Sequence, residues 1–122
     1  MRSSAKSADA RASIMLDVVA KAVSQVTGVT VEQLRSQDCT HKVTKARFIF
    51  SDLCRGVVSP ASMVGDYLSK NSSMIAYYKR AHSDYYEIYK DFRDMSDKAD
   101  ELLTELLTSI NGTVGNVFQE EE

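Results

Sequence analysis

Between Ser59 and Arg80 the chain reads SPASMVGDYLSKNSSMIAYYKR, two helical stretches separated by a short polar turn. Ser59 can accept hydrogen bonds from the free amides of a first turn, and Pro60 suits the first helical position because its missing N–H would be unpaired there anyway. Val64 and Leu68 fall four apart on one face. The run Ser69, Lys70, Asn71, Ser72 then supplies a turn and a fresh N-cap before Met74, Ile75 and Tyr78 resume the helical period. Two helices joined in this way predict a helix-turn-helix. When that motif binds DNA, the second helix enters the major groove with its N-terminal residues toward base edges, which is where Lys70, Ser72 and Ser73 stand. Two packed helices with a short connection also occur in any all-helical domain, so the pattern by itself leaves both readings open.

The remainder of the chain repeats the helical period. Met15, Val18, Val19, Ala22, Val23 and Val26 form one apolar stripe on a helix expected from about residue 10 to 27, with residues 1–8 as an unstructured start. Gly28 supplies its stop, since glycine takes the left-handed conformation past a helix end. Thr30 and Gln33 have capping-box spacing, with Val31 and Leu34 as buried contacts. After a polar connection over 36–42, Val43, Ala46, Ile49, Phe50, Leu53 and Cys54 give a second stripe that Gly56 ends. Lys42, Lys45 and Arg47 crowd the first two turns of that helix. Cations there oppose the helix dipole, which favours either a binding role or a merely solvated face.

From Ala81 a three-four repeat runs through Tyr85, Ile88, Phe92, Met95, Ala99, Leu102 and Leu106, with no stop signal before Asn111-Gly112. The helix that opens after the turn is therefore expected to continue unbroken to that point. Its apolar seam must be covered, either by a second copy of the chain in a homodimer or by the domain's own helices. No strand-like alternation of useful length and no internal repeat occurs, so the expected fold is all-α with five or six helices. Residues 1–95 should form the helix-turn-helix domain, and 96–122 the rest of the long helix with an acidic tail.

The formal net charge of −2 hides a segregation. Residues 35–80 carry eight cations against three acids, whereas 81–122 carry three cations against eleven acids. The basic segment coincides with the turn and its flanks, as contacts to phosphate require. An acidic tail of this kind would be able to fold back over the basic surface and compete with DNA.

Several chemistries find no support. His41 and His82 have no local acid–base partner pattern, and a solvated or capping role is expected for both. Cys39 and Cys54 are too few for a disulfide framework, so both are expected reduced, with Cys54 packed in a core. Cys39-Thr40-His41 has no second ligand pair for zinc, and the acids of residues 84–101 lack the glycine-containing loop that binds calcium. The tyrosines from Tyr77 to Tyr89 are expected mainly in core and seam packing. No apolar stretch suits a membrane span or a secretory signal, which predicts a cytoplasmic protein with no membrane partner. No enzyme and no cofactor is expected.

The order of parts, GVTVEQLRSQ, then VTKARFIF, SPASMVGDYLS and NSSMIAYYKR, resembles the C-terminal DNA-binding domain of the bacterial replication initiator DnaA, which is related in its core to the Trp repressor. The likeness covers roughly residues 14–90. It implies that Arg47 enters a minor groove, where a narrow A·T-rich tract would attract it, and that Lys45 contacts backbone beside it. It further implies that Ser72 and Ser73 meet thymine methyls and phosphate, and that Lys79 or Arg80 supplies a further basic contact. The family's Asp-His pair is replaced here by Lys70-Asn71 in a shorter turn, so the family's own target sequence does not transfer. Asn71 suits either pairing with adenine or capping the helix. No GxxxxGK[ST] phosphate loop is present, which excludes the initiator's ATPase.

These readings converge on a double-stranded DNA-binding protein acting in DNA replication or transcription regulation, with Lys42, Lys45, Arg47, Lys70, Asn71, Ser72, Ser73, Lys79 and Arg80 as its contact residues. The alternative is a helical protein-interaction module on the same scaffold that has lost DNA binding.

Overall fold

A computed structural model describes the backbone of residues 2–55 and 61–120 and the side chains of 13–55 and 61–109. Six helices appear among the described residues: α1 Arg2–Thr27, α2 Val31–Leu34, α3 His41–Arg55, α4 Ala61–Leu68, α5 Ser72–Ile88 and α6 Lys90–Glu120. No strand occurs among them, and the fold is all-α as the periodicity requires. Two boundaries differ from expectation. α1 begins well before residue 10, and Asn111-Gly112 lies inside α6 rather than ending it. The expected cap at Ser59-Pro60 and the stop at Gly56 fall outside the described residues.

α3 is the axis of the core. α1, α2, α5 and α6 all pack on it, so its buried residues run round most of the helix: Val43, Ala46, Arg47, Phe48, Ile49, Phe50, Ser51, Leu53 and Cys54. Phe48 is the centre of an aromatic cluster, with ring centroids 5.8 Å from Tyr78, 5.2 Å from Tyr85 and 6.4 Å from Phe92. Its burial ties α3 to both α5 and α6. Phe50 faces the other way and stacks on Tyr67 of α4 at 5.5 Å.

Local signals act where the sequence places them. Gly28 takes φ +80°, and its amide bonds the Ser24 carbonyl at 2.9 Å, closing α1. Thr30 and Gln33 form both halves of the capping box, at 3.0 and 2.9 Å.

The helix expected to run unbroken past Ala81 is instead bent at Tyr89, whose φ of −110° and ψ of 113° are extended. In an uninterrupted helix residues 14 apart would lie roughly 21 Å from each other along the axis. Here His82 and Ser96, 14 apart, share a 2.8 Å hydrogen bond. The chain therefore doubles back sharply without glycine or proline. Arg93 explains how the break is satisfied: its Nε and Nη2 donate to the carbonyls of Tyr86 and Glu87 at 2.9 and 3.1 Å, which are among the acceptors left open at the end of α5.

That reversal decides the fate of the apolar seam. α6 packs along α1, where Ala99 and Leu103 are buried and Met95, Leu102, Leu106 and Leu107 half-buried. The domain's own first helix covers the seam, as one of the two expectations held. Ile88 is left out at the bend, 67% exposed. Part of the segment expected as the rest of the long helix and acidic tail belongs to the core, where Ser96, Ala99 and Leu103 are buried.

Candidate nucleic-acid interface

α4 and α5 meet in a tight turn whose geometry follows from three residues. Ser69 adopts φ 60°, the left-handed conformation. The amides of Ser69 and Lys70 bond the carbonyls of Asp66 and Gly65 at 3.3 and 2.8 Å, the paired closure of a helix end usually given to glycine. Asn71 then opens α5, its side-chain oxygen accepting from the Met74 amide at 2.9 Å. Of the two roles open to Asn71, the structure shows the cap. Gly65 permits the close approach, because a Cβ there would lie 2.5 Å from the Lys70 carbonyl oxygen and 3.5 Å from the Ile75 side chain. Ile75, Tyr78 and His82 bury the inner face of α5.

The outer face is open. Ser72, Ser73, Ala76, Tyr77 and Arg80 are exposed, with Asp84 and Glu87 following toward the C-terminal end. Hydroxyls and a cation thus occupy the half of the helix carrying the positive end of its dipole, and acids the other half.

The basic segment divides in two once packed. Arg47, expected to enter a minor groove, is 1% exposed. Its Nε donates to the Leu34 carbonyl at 3.0 Å, Nη1 to Asp38 at 2.6 Å, and Nη2 to Gln33 and Ser36 at 3.0 and 2.8 Å. The guanidinium caps the end of α2 and the turn beyond it, which corrects its placement on a DNA-facing surface. Lys70 is half-buried and donates to the Ser36 carbonyl at 3.2 Å. Arg35 donates from Nε to the Tyr67 carbonyl at 2.9 Å and lies 4.6 Å over that ring. These three cations clamp the 36–40 connection and the α4–α5 turn into one unit.

Lys42, Lys45, Lys79 and Arg80 have neither ion pair nor hydrogen bond among the described residues. Lys42, Lys79 and Arg80 do not gather on one surface. Lys42 lies over the α1–α2 corner, its Nζ 3.4 Å from where a Cβ on Gly28 would be. Lys79 sits on the flank of α5 away from Tyr77, lining a cleft of about 530 Å³ with Asp52, Asp97 and Asp100. Arg80 shares the outer face of α5 with Ser73, and Lys45 stands on α3 between His41 and Phe48, whose rings meet Tyr85 and Tyr77 of α5.

The same cleft holds a residue the sequence misjudged. His82 is buried rather than solvated, with Nε2 on Ser96 at 2.8 Å, Nδ1 3.6 Å from Asp52, and its ring against Phe92 and Tyr86. Burial holds its pKa below the usual imidazole value, against the opposing pull of Asp52. Asp52, His82 and Ser96 follow the order of a nucleophilic triad. However, the 3.6 Å gap exceeds a hydrogen bond, and amides in the middle of α6 are engaged within the helix and offer no oxyanion site. Only contact geometry, invisible in a sequence with residues 30 and 14 positions apart, brings them together. Cys54 is fully buried, which raises its thiol pKa well above the ordinary value, and Cys39 is exposed.

Among the described residues no group of three or more His, Cys, Asp or Glu is arranged to hold a metal ion, and no helix is long and apolar enough to cross a membrane. No protein-family model matches the chain, and comparison with curated proteins likewise gives no match.

Proposed function

We propose that this chain binds double-stranded DNA through the α4–α5 helix-turn-helix, on a scaffold similar to the C-terminal domain of the initiator DnaA, and acts in the cytoplasm in DNA replication or transcription regulation. One observation carries the reading: α5 is braced from behind by α3 and α4 while its N-terminal half, with Ser72, Ser73, Tyr77 and Arg80, stands open to solvent. A helix entering a major groove needs that combination of a rigid back and an uncovered, acid-free front. Arg47 and Lys70 contribute by holding the turn in place. The covered seam leaves a homodimer through α6 out of the proposal.

The internal use of Arg47 and Lys70 favours a second reading, the protein-interaction module, because it removes two cations from the surface. Binding to mixed-sequence duplex across a salt series separates the two. With four unpaired cations available, a DNA binder should lose affinity with a slope of log K against log salt no steeper than about −4, and Arg80→Ala should weaken duplex binding. Absence of salt-dependent duplex binding would leave the interaction module.

A further inference from the structure

We infer that Tyr77 and Arg80 carry the base preference of α5, reading a thymine and a guanine one or two base-pair steps apart; this rests on the DNA-binding reading above. Ser73, Ala76, Tyr77 and Arg80 recur at i, i+3, i+4 and i+7, which places them in one row on the outer face, the spacing by which a helix in a major groove presents side chains to successive bases.

Tyr77 is out of place on a solvated face. It is 48% exposed, yet its ring is fixed edge-on against Phe48 at 6.1 Å and beside Tyr78 at 6.0 Å. A ring so held loses little conformational freedom when it meets a ligand, and its apolar edge suits the C5-methyl group that thymine alone displays in the major groove. Among the described residues Arg80 has no acid within ion-pair distance, although Asp84 stands one turn away. Its fork is free to match O6 and N7 of guanine, the commonest specific contact of an arginine. Three residues of helix rise roughly 4.5 Å and one base-pair step roughly 3.4 Å, so the two contacts fall on neighbouring or next-neighbouring pairs. Asp84 and Glu87 end the row, because acids repel the phosphates that flank the groove.

Selection of duplexes from a random pool by the full chain, followed by affinity measurement on the selected site, tests this. The enriched site should contain T and G within two steps. Replacing that thymine by uracil, which deletes only the methyl group, should weaken binding by wild-type protein roughly fourfold, the worth of one buried methyl. Tyr77→Phe should keep the discrimination and Tyr77→Ala should lose it, while Arg80→Ala should relax the preference at the guanine about tenfold or more. Thermal melting of each variant identifies any loss of fold. If Tyr77→Ala is unstable, Tyr77→Gln, which keeps bulk but presents a polar amide to the methyl group, should lose the uracil discrimination in its place, equal sensitivity in Tyr77→Gln and wild type again overturning the inference. Equal uracil sensitivity in Tyr77→Ala and wild type, or an enriched site without the T and G pair, overturns the inference while DNA binding stands. Salt-independent or absent duplex binding overturns both.

Discussion

Arg47 and Lys70 converge on one acceptor: the Ser36 carbonyl receives Arg47 Nη2 at 2.8 Å and Lys70 Nζ at 3.2 Å. One cation comes from the middle of α3 and the other from the α4–α5 turn, so the shared oxygen fixes the position of the turn relative to the core. Arg47→Met should orphan the Leu34 and Asp38 carbonyls, the first of them buried, because the Ser36 carbonyl keeps Lys70 and the Gln33 carbonyl keeps the Ser36 amide and hydroxyl. A loss of about 3 kcal/mol is expected from the worth of unsatisfied buried acceptors. A shifted urea midpoint reads this directly. Arg47→Lys should recover only part of it, because an ammonium cannot reproduce the fork.

Gly65 reverses the usual sign of a helix substitution. In an exposed helix interior Gly→Ala is worth about 1 kcal/mol in favour of alanine. Here the new Cβ would meet the Lys70 carbonyl oxygen at 2.5 Å, a backbone atom that cannot step aside. Gly65→Ala should therefore destabilise by roughly 1–3 kcal/mol, measured by thermal or denaturant melting, and should displace α5 enough to weaken duplex binding. A neutral or stabilising result would show that the crossing is looser than the geometry states.

Ser69 gives the opposite case. Its φ of 60° is one that residues with a Cβ adopt at a cost of about 1 kcal/mol or more, whereas glycine is at ease there. Ser69→Gly should raise stability by several tenths to about 1 kcal/mol, the gain being reduced by the greater freedom of glycine in the unfolded chain. Differential scanning calorimetry would detect the rise as a higher Tm.

His82 sets a pH dependence. Its folded pKa lies below the unfolded value because burial disfavours the imidazolium. The unfolded chain then binds the proton first as pH falls, so stability is full above about 6.5, the ordinary histidine value, and declines as pH drops from there toward the lowered folded pKa. The charged groups that face it are Asp52 and Arg55 on α3, Lys79 and Glu87 on α5, and Asp97 and Asp100 on α6. Urea midpoints at pH 7.5 and 5.5 should differ more in wild type than in His82→Gln, which cannot titrate. Equal differences would assign the dependence to other groups.

Arg93 holds the bend. Arg93→Ala removes the donors on the Tyr86 and Glu87 carbonyls, which lie at least partly in solvent and can turn to water, so a cost of about 1–2 kcal/mol is expected. Hydrogen exchange should quicken at the amides of Tyr89 and Arg93, which bond the carbonyls of Tyr85 and Tyr89, before it quickens in α3.

What the sequence determined by itself was everything that depends on neighbours along the chain. The helical period, the glycine stop at Gly28, the Thr30–Gln33 capping box and the cap ahead of Ser72 are satisfied within a few residues, and each stands where the spacing puts it. The tertiary structure decided what those residues face. Charge marks Arg47 as a surface cation, but carbonyls from four residues of another segment form a buried site that only a guanidinium fills. Periodicity carries one helix from Ser72 through Tyr89, but an arginine four residues past the bend supplies the acceptors' donors and lets Phe92 reach Phe48. An apolar stripe states that it must be covered and is silent about by what; the reversal at Tyr89 brings α6 onto α1 and settles it. The exposed row of Ser73, Tyr77 and Arg80 is legible as a row from spacing alone, and it becomes a face only because Ile75, Tyr78 and His82 bury the side opposite.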